Sequence, residues 1–209
     1  MEFKQVVEQR ASVRNFTDTA IPEDKIKEMI KYAGMAPCVG GKEPWKFIAV
    51  MNKDIINKMS KAVKDKYDEI IPKNDERITE NVKRTVELFS SVFTKAPVVV
   101  AVLNEPYIAI IDRAIENSSF THEQINSLRN HPDIQTIGAA IQNLLLAAVD
   151  LGYGACWLTA PMVAKNEICK LLNIKEPYSL MALVAIGKPD INPIPRTKEP
   201  VEDILEFVR

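Results

Sequence analysis

Two guanidinium groups and a hydroxyl alternate near the N-terminus of the chain. They belong to Arg10, Ser12 and Arg14, in the run Arg-Ala-Ser-Val-Arg. In an extended backbone, residues two positions apart point to the same side, so these three side chains would share one face. Such a face would suit a phosphate or another anion. The same pattern also fits a solvated basic strand edge, which is the commoner case for charged residues.

A second candidate stretch is the loop from Met35 to Phe47, which reads MAPCVGGKEPWKF. Pro37 and Pro44 exclude a continuous helix, because each fixes φ and lacks a backbone N–H. Gly40 and Gly41 can adopt positive φ or let another group approach the backbone closely. The stretch therefore predicts a shaped loop between a helix and a strand, either as a structural turn or as part of a binding site.

The sequence lacks the common catalytic motifs. It contains no Gly-x-Ser-x-Gly elbow, no Gly-x-Gly-x-x-Gly loop after a strand and no Walker motif. Cys38, Cys156 and Cys169 do not form a zinc-binding pattern with His122 and His131. The odd number and wide spacing of the cysteines are typical of reduced thiols in the cytoplasm. We therefore predict no catalytic side chain and no metal site, and a protein that holds a cofactor with its own chemistry.

The elements that would position these residues can be read from apolar runs that alternate with amphipathic helical patterns. We predict four or five strands separated by helices, which is an α+β or α/β fold. The strand Phe47–Met51 is apolar throughout and would be central in a sheet. The clearest helix runs from Asp133 to Leu151, with Gly152 as a left-handed cap, and its small residues would permit close packing against a second subunit. The other predicted strands are Val98–Leu103, Tyr153–Leu158 and Tyr178–Gly187.

Two further segments are less regular. Residues 71–95 are polar with a helical pattern, whereas residues 104–132 are irregular or weakly helical. We interpret residues 104–132 as an inserted loop or cap within a single domain that spans residues 1–209. The positions expected to be buried in the first segment are Val82, Val86, Leu88, Phe89 and Val92.

Composition excludes several classes of protein. The 209 residues are 46% hydrophobic and 26% charged, which is typical of a globular domain. A net charge of −1 provides no general attraction for nucleic acid. No uncharged apolar run reaches the roughly 20 residues of a membrane span, and the early Glu2 and Lys4 are unlike a signal peptide. We expect a cytoplasmic protein that binds neither nucleic acid nor membrane.

Five motifs in order, covering nearly the whole chain, resemble the FMN-dependent nitroreductase family. The resemblance implies an α+β fold with a mixed, mainly antiparallel sheet flanked by helices. It also implies an intertwined homodimer with two FMN sites at the interface. The motifs are Arg-x-Ser-x-Arg at 10–14, the loop at 36–47, Gln-Asn-Leu at 142–144, Gly-Tyr-Gly-Ala-Cys-Trp at 152–157, and Gly-Lys-Pro at 187–189 with the basic pair Arg196 and Lys198.

The resemblance further implies three groups of FMN-binding residues. Basic and hydroxyl side chains would hold the phosphate, with Arg14 nearer the ribityl chain and the N1 side of the ring. The loop before the first strand would reach the flavin of the other subunit. The turn after Trp157 would cover one flavin face and direct a backbone N–H toward N5. By group, these residues are Arg10, Ser12, Arg14, Arg196 and Lys198; then Pro37, Cys38, Val39 and Gly41; then Leu158, Thr159 and Ala160.

The activity implied by the resemblance is the transfer of two electrons from NADH or NADPH, through flavin N5, to a small-molecule acceptor such as a nitroaromatic or a quinone. The loop departs from the family pattern at Cys38, Val39, Gly41 and Glu43, where the family has neutral polar residues. These departures leave room for dehalogenation, enone reduction or flavin fragmentation on the same fold. A flavin-binding protein with little turnover and a non-flavin interaction module are further alternatives.

Overall fold

Four strands form one antiparallel sheet in the computed structural model, which describes residues 1–72, 80–114 and 119–209. Their order across the sheet is β1-β2-β4-β3. Each strand coincides closely with a predicted apolar run, so the predicted α+β class is confirmed. The strands are β1 (Trp45–Val50), β2 (Val98–Asn104), β3 (Gly154–Leu158) and β4 (Ser179–Gly187).

Helices cover both faces of this sheet. Alternate residues of β2 point to opposite faces, and every residue of the strand is buried. Val98, Val100 and Val102 pack with α2 and α7, whereas Val99 and Ala101 pack with α3 and α8. The helices are α1 (Phe3–Gln9), α2 (Glu23–Ala33), α3 (Lys53–Ile70), α4 (Glu80–Ser91), α5 (Ile110–Ala114), α6 (His122–Leu128), α7 (Pro132–Asp150), α8 (Lys165–Leu171) and α9 (Val201–Ile204).

The first strand lies at an edge of the sheet, so the expectation that Phe47–Met51 would be central is wrong. β1 pairs with β2 on one side and ends the strand order. Ile48 packs against the core on one face, and Trp45 and Phe47 pack against the core on the other. Because helices cover both faces of the sheet, an edge strand here is as apolar as a central one, and apolarity alone does not reveal its position.

The long helix α7 agrees with the prediction. It begins at Pro132, where the missing N–H of proline costs no helical hydrogen bond. It ends at Asp150, and Gly152 has φ +78°, as expected for a left-handed cap. Its apolar face is buried against the sheet and α2, although Ile134 is 46% exposed.

The burial predicted for residues 71–95 is largely wrong. Val92 is buried, but Val82, Leu88 and Phe89 are exposed and Val86 is only partly buried. The reason is that α4 packs mainly across α3, which leaves much of its apolar stripe exposed. Residues 73–79 of this segment lie outside the described residues.

The segment 104–132 contains α5, α6 and irregular backbone, as expected, with residues 115–118 outside the described part. A buried carboxylate fastens it to the sheet. Asp133, at the start of α7, accepts hydrogen bonds from Asn104 of β2 (3.0 Å) and from Asn126 of α6 (3.1 Å). Burial alone would raise the pKa of Asp133, but these two amides and the backbone N–H groups of Ile134 and Asp133 hold that pKa below its ordinary value.

The chain ends in an exposed tail. Every residue from 190 to 209 is exposed, including the apolar side chains of Ile194 (90%) and Val208 (94%). Among the described residues, no helix combines the length and the apolarity that crossing a membrane requires.

Candidate functional site

The basic N-terminal segment lies along the outer edge of β3. Helix α1 ends at Gln9, and the chain continues in extended conformation from Arg10. Ser12 forms a parallel bridge with Ala155, and the backbone N–H of Val13 donates to the carbonyl of Ala155 at 3.0 Å. The segment therefore has a fixed position relative to the sheet, as a short fifth strand would.

A glycine in β3 allows this close packing. A Cβ atom at Gly154 would lie 2.6 Å from Cγ2 of Val13, far inside van der Waals contact. Val13 is buried, while its neighbours Ser12 and Arg14 are exposed. Burying the valine thus turns the hydroxyl and the guanidinium toward solvent, where a ligand can reach them.

Arg10, Ser12 and Arg14 all act on one atom, the sulfur of Cys156. Burial raises the pKa of the Cys156 thiol above its ordinary value. Arg14, a hydrogen bond with Ser12, and Arg10 oppose that effect, in decreasing order. Together with the bridge between Ser12 and Ala155, this places the three predicted side chains along the edge of β3. Two guanidiniums and a hydroxyl form a donor set that fits a phosphate such as that of FMN.

The turn after β3 is held from two sides. Leu158 is buried in the core, so it can face a ligand through its backbone only. Thr159 is exposed, and its carbonyl accepts a hydrogen bond from the Met162 N–H at 2.9 Å. The carbonyl of Ala160 accepts a hydrogen bond from the hydroxyl of Tyr67 at 3.1 Å. This arrangement leaves the backbone of the turn, and few of its side chains, available for contact.

The loop before β1 is an irregular turn held against residues 104–132. Gly40 and Gly41 have positive φ, 61° and 72°, within a single 3-10 turn over residues 39–41. A Cβ atom at Gly40 would lie 2.9 Å from the hydroxyl of Tyr107, so a side chain there has no room. Lys42 also forms an ion pair with Glu105 at 2.7 Å. Of the predicted contact residues, Pro37 and Gly41 are exposed, and Cys38 and Val39 are partly buried.

This loop and the basic segment do not meet within one chain. The loop leads into β1, whereas the basic segment lies beyond β3 at the opposite edge of the sheet. Four inter-strand spacings separate the two, about 19 Å. The loop and the basic segment also lie at different positions along the strands. Trp45 is level with Ser179 at the start of β4, whereas Ala155 pairs with Ile186 near the end of β4.

The C-terminal basic pair lies on the tail that follows β4. Arg196 and Lys198 lie on the exposed tail. The tail leaves the body beside the basic segment, where the Asp190 N–H donates to the carbonyl of Asn15 at 3.3 Å. Six residues of extended chain span up to about 20 Å. A tail that folds back over this length can bring Arg196 to the basic segment.

Sequence reasoning missed two side chains near these residues. Tyr67 contacts the turn after β3 across a separation of 93 residues. Phe89 of α4 lies under the guanidinium of Arg14, 5.9 Å from carbon to ring centroid. No local pattern signals either contact, because each depends on how α3 and α4 pack.

The chain thus folds as an antiparallel sheet between two helical layers, with a basic segment along one edge. The Nitroreductase family model matches residues 7–188, and the chain belongs to that family. The predicted family and fold are therefore confirmed.

Similar proteins span a range of identities. The "Putative NADH dehydrogenase/NAD(P)H nitroreductase" of Archaeoglobus fulgidus is 25% identical over 86% of this chain and 81% of the relative. An iodotyrosine dehalogenase 1 homolog of Caenorhabditis elegans is 25% identical over 98% of this chain and 61% of the relative.

Solved structures of similar fold include a BluB-like flavoprotein from Clostridium difficile 630, with 32% identity, a TM-score of 0.89 and full coverage of both chains. Another is a nitroreductase with bound FMN from Desulfitobacterium hafniense DCB-2. Its identity is 19% and its TM-score 0.73, over 99% of this chain and 97% of that one. The second similarity is one of fold alone.

Proposed function

We propose that this protein is an FMN-dependent oxidoreductase that passes two electrons from NADH or NADPH to a nitroaromatic, a quinone or a similar acceptor. The observation that carries this proposal is the extended segment with Arg10, Ser12 and Arg14, which the pairing of Ser12 with Ala155 fixes along the edge of β3 with Ser12 and Arg14 exposed. The FMN-bound nitroreductase of similar fold supports the choice of cofactor, and the names of the sequence relatives support the choice of electron donor.

The side chains of the basic segment would bind and orient the cofactor. Arg10 and Ser12 would hold the phosphate together with Arg196 and Lys198, because charge-assisted hydrogen bonds to a dianion are the strongest available in water. Arg14 would place a fixed positive charge near the N1 side of the ring, where it stabilises negative charge. Bound FMN would supply the redox chemistry itself, accepting a hydride at N5 and passing two electrons to the acceptor.

The turn Leu158–Ala160 would cover one face of the ring and present backbone N–H groups to it. Its side chains are short, exposed or buried in the core, so such a contact places no demand on residue type. With one ring face covered by the protein, the donor and the acceptor would use the other face in turn. The protein then contributes position and electrostatics, and no nucleophile.

We propose further that the site is completed by a second copy of the chain. Pro37, Cys38, Val39 and Gly41 lie at the sheet edge opposite the basic segment, roughly 19 Å away across the strands. We infer that the loop reaches a flavin bound at Arg10 from a partner subunit, as the family resemblance implies. The exposed apolar residues of the 190–209 tail supply surface that a partner would bury.

Titration of the protein with FMN tests the cofactor assignment. We expect Arg10→Ala to weaken binding about ten- to 150-fold, the equivalent of a lost charge-assisted hydrogen bond of roughly 1.5–3 kcal/mol. Lys58→Ala, which removes an exposed positive charge on α3, is the matched control and is expected to bind as the wild type does. An unchanged FMN affinity in Arg10→Ala would remove this residue from the phosphate site. No oxidation of NADH or NADPH by the FMN-loaded protein with nitroaromatic or quinone acceptors would refute the reductase activity.

Subunit complementation tests the shared site. Arg10→Ala damages the phosphate end, and Gly40→Val damages the loop, because the added side chain meets Tyr107. If the loop acts across the interface, a mixed dimer of the two variants contains one fully intact site. It should then recover about half of the wild-type FMN capacity. No recovery in a purified mixed dimer would mean that the loop serves its own subunit, and a monomer in sedimentation analysis would exclude the shared site altogether.

The C. elegans relative favours reductive dehalogenation of a halogenated tyrosine as the second candidate, since it matches 98% of this chain. Release of iodide from iodotyrosine by the reduced, FMN-loaded protein would support this activity. Turnover of nitroaromatics without iodide release would decide for the first proposal.

A further inference from the structure

Tyr67 lies near the end of α3, at the side of the turn that follows β3. Its ring is partly buried and packs against the core cluster that contains Leu158 and Cys156. Its hydroxyl donates a hydrogen bond to the backbone carbonyl of Ala160 at 3.1 Å. The side chain therefore joins α3 to the segment that would face the flavin.

The residue after this carbonyl makes the hydrogen bond more consequential. Pro161 has a fixed φ and no N–H, so the peptide unit that carries the Ala160 carbonyl is held rigidly on one side by the proline. The Tyr67 hydroxyl holds the carbonyl oxygen itself. Because Ala160 lies in the 3-10 turn Ala160–Ala164, whose backbone conformation restricts φ and ψ, anchoring its carbonyl also restricts the direction of its N–H.

A second contact keeps α3 in place next to this turn. Lys66 forms an ion pair with Glu167 of α8 at 3.2 Å. Hydrogen bonds with Glu69 and Glu167 raise the pKa of Lys66 above its ordinary value. Helix α8 follows directly on the 3-10 turn that begins at Ala160. The neighbouring residues of α3 thus hold both ends of one short segment, the carbonyl at its start and the helix after it.

We propose that Tyr67 is a positioning residue for the turn Leu158–Ala160. By holding the Ala160 carbonyl, its hydroxyl sets the direction in which the backbone N–H groups of the turn point at the isoalloxazine ring. This inference rests on the proposed FMN function and adds to it a residue outside the binding motifs.

The variant Tyr67→Phe tests the role, because it keeps the packed ring and removes only the hydroxyl. A neutral hydrogen bond contributes roughly 0.5–1.5 kcal/mol, so we expect the dissociation constant for oxidised FMN to rise about two- to tenfold. The effect on reduced FMN should be smaller. Oxidised N5 accepts a hydrogen bond from an N–H group, whereas reduced N5 carries its own hydrogen and is a weaker acceptor.

Unequal loss of affinity for the two states shifts the midpoint potential of the bound flavin upward. A tenfold change in the ratio of the two dissociation constants corresponds to about 30 mV for a two-electron couple. Tyr178→Phe is the matched control. Tyr178 packs against the same core cluster, with Lys46 over its ring at 5.0 Å, and lies just before β4. We expect this control to leave the potential unchanged.

The outcomes separate three cases. A raised potential with weaker binding of oxidised FMN supports the positioning role. An equal loss of affinity for both states, or a loss of folding stability with an unchanged potential, would show that Tyr67 is only structural and would overturn the inference. Failure of the wild-type protein to bind FMN would reject the proposed function, and this role would fall with it.

Discussion

Replacing Gly154 by alanine tests how the sheet holds the basic segment. The new Cβ atom would lie 2.6, 2.8 and 2.9 Å from three atoms of the Val13 side chain, where contact normally begins near 3.4 Å. Val13 must then move by close to an ångström. It cannot do so freely, because its N–H donates to the Ala155 carbonyl at 3.0 Å.

The cost follows from these two contacts. Overpacking of a buried site typically destabilises by about 1–3 kcal/mol, and a weakened backbone hydrogen bond adds roughly 1 kcal/mol. We expect Gly154→Ala to lower the free energy of unfolding by about 2–4 kcal/mol. For a chain of this size the melting temperature should fall by roughly 4–16 °C. Urea unfolding of the cofactor-free protein measures the first quantity, and calorimetry the second.

Gly138→Ala is the matched control for this prediction. A Cβ atom there would meet the Trp157 ring at 3.7 Å, an ordinary contact, and the position lies inside α7. Alanine in a helix interior is favoured over glycine by up to about 1 kcal/mol, so this variant should be as stable as the wild type or more so. A decrease of less than about 0.5 kcal/mol in the free energy of unfolding of Gly154→Ala would contradict this account. The close packing of Val13 on β3 would then not be what positions Arg10, Ser12 and Arg14.

Two further predictions concern titratable groups. Asp133→Asn should destabilise the fold by about 1–3 kcal/mol at neutral pH, because an amide N–H₂ group would then face the donors of Asn104 or Asn126. Since the pKa of Asp133 is lowered on folding, its contribution is complete above the ordinary carboxyl pKa and is lost as the pH falls through the folded value. Acid titrations of unfolding free energy should show a shallower loss in Asp133→Asn, and parallel curves would contradict this account. In the native protein, iodoacetamide should modify the partly buried Cys38 faster than Cys156, whose burial and raised pKa leave little thiolate; equal rates by peptide mass analysis would contradict it.

The strands and α7 were predictable because each carries its own pattern. An apolar run bounded by turns marks β2 and β4, and a period of 3.6 with a terminal glycine marks α7. The position of β1 was not predictable in this way. β1 is an edge strand, but helices on both faces of the sheet make its sequence resemble that of a central strand.

The candidate site likewise combines residues that the sequence identifies with contacts that it does not. Arg10, Ser12 and Arg14 could be found from the sequence, because alternation is a local property. Their position along β3 depends on the pairing of residues 12 and 155, which no local pattern specifies. The contact of Tyr67 with Ala160 depends on the packing of α3, and the exposure of Phe89 on the packing of α4. Contacts of this kind are decided by tertiary structure.

The pairing of residues 12–16 with β3 and with Pro189 also fixes an order of events during synthesis. Val13 is made about 140 residues before its partner Ala155, and Phe16 still longer before Pro189. At 5–20 residues per second, the N-terminal segment waits roughly 7–28 s for its neighbour. The basic segment is therefore one of the last parts of the fold to form, and a chain interrupted before β3 lacks the strand that fixes it.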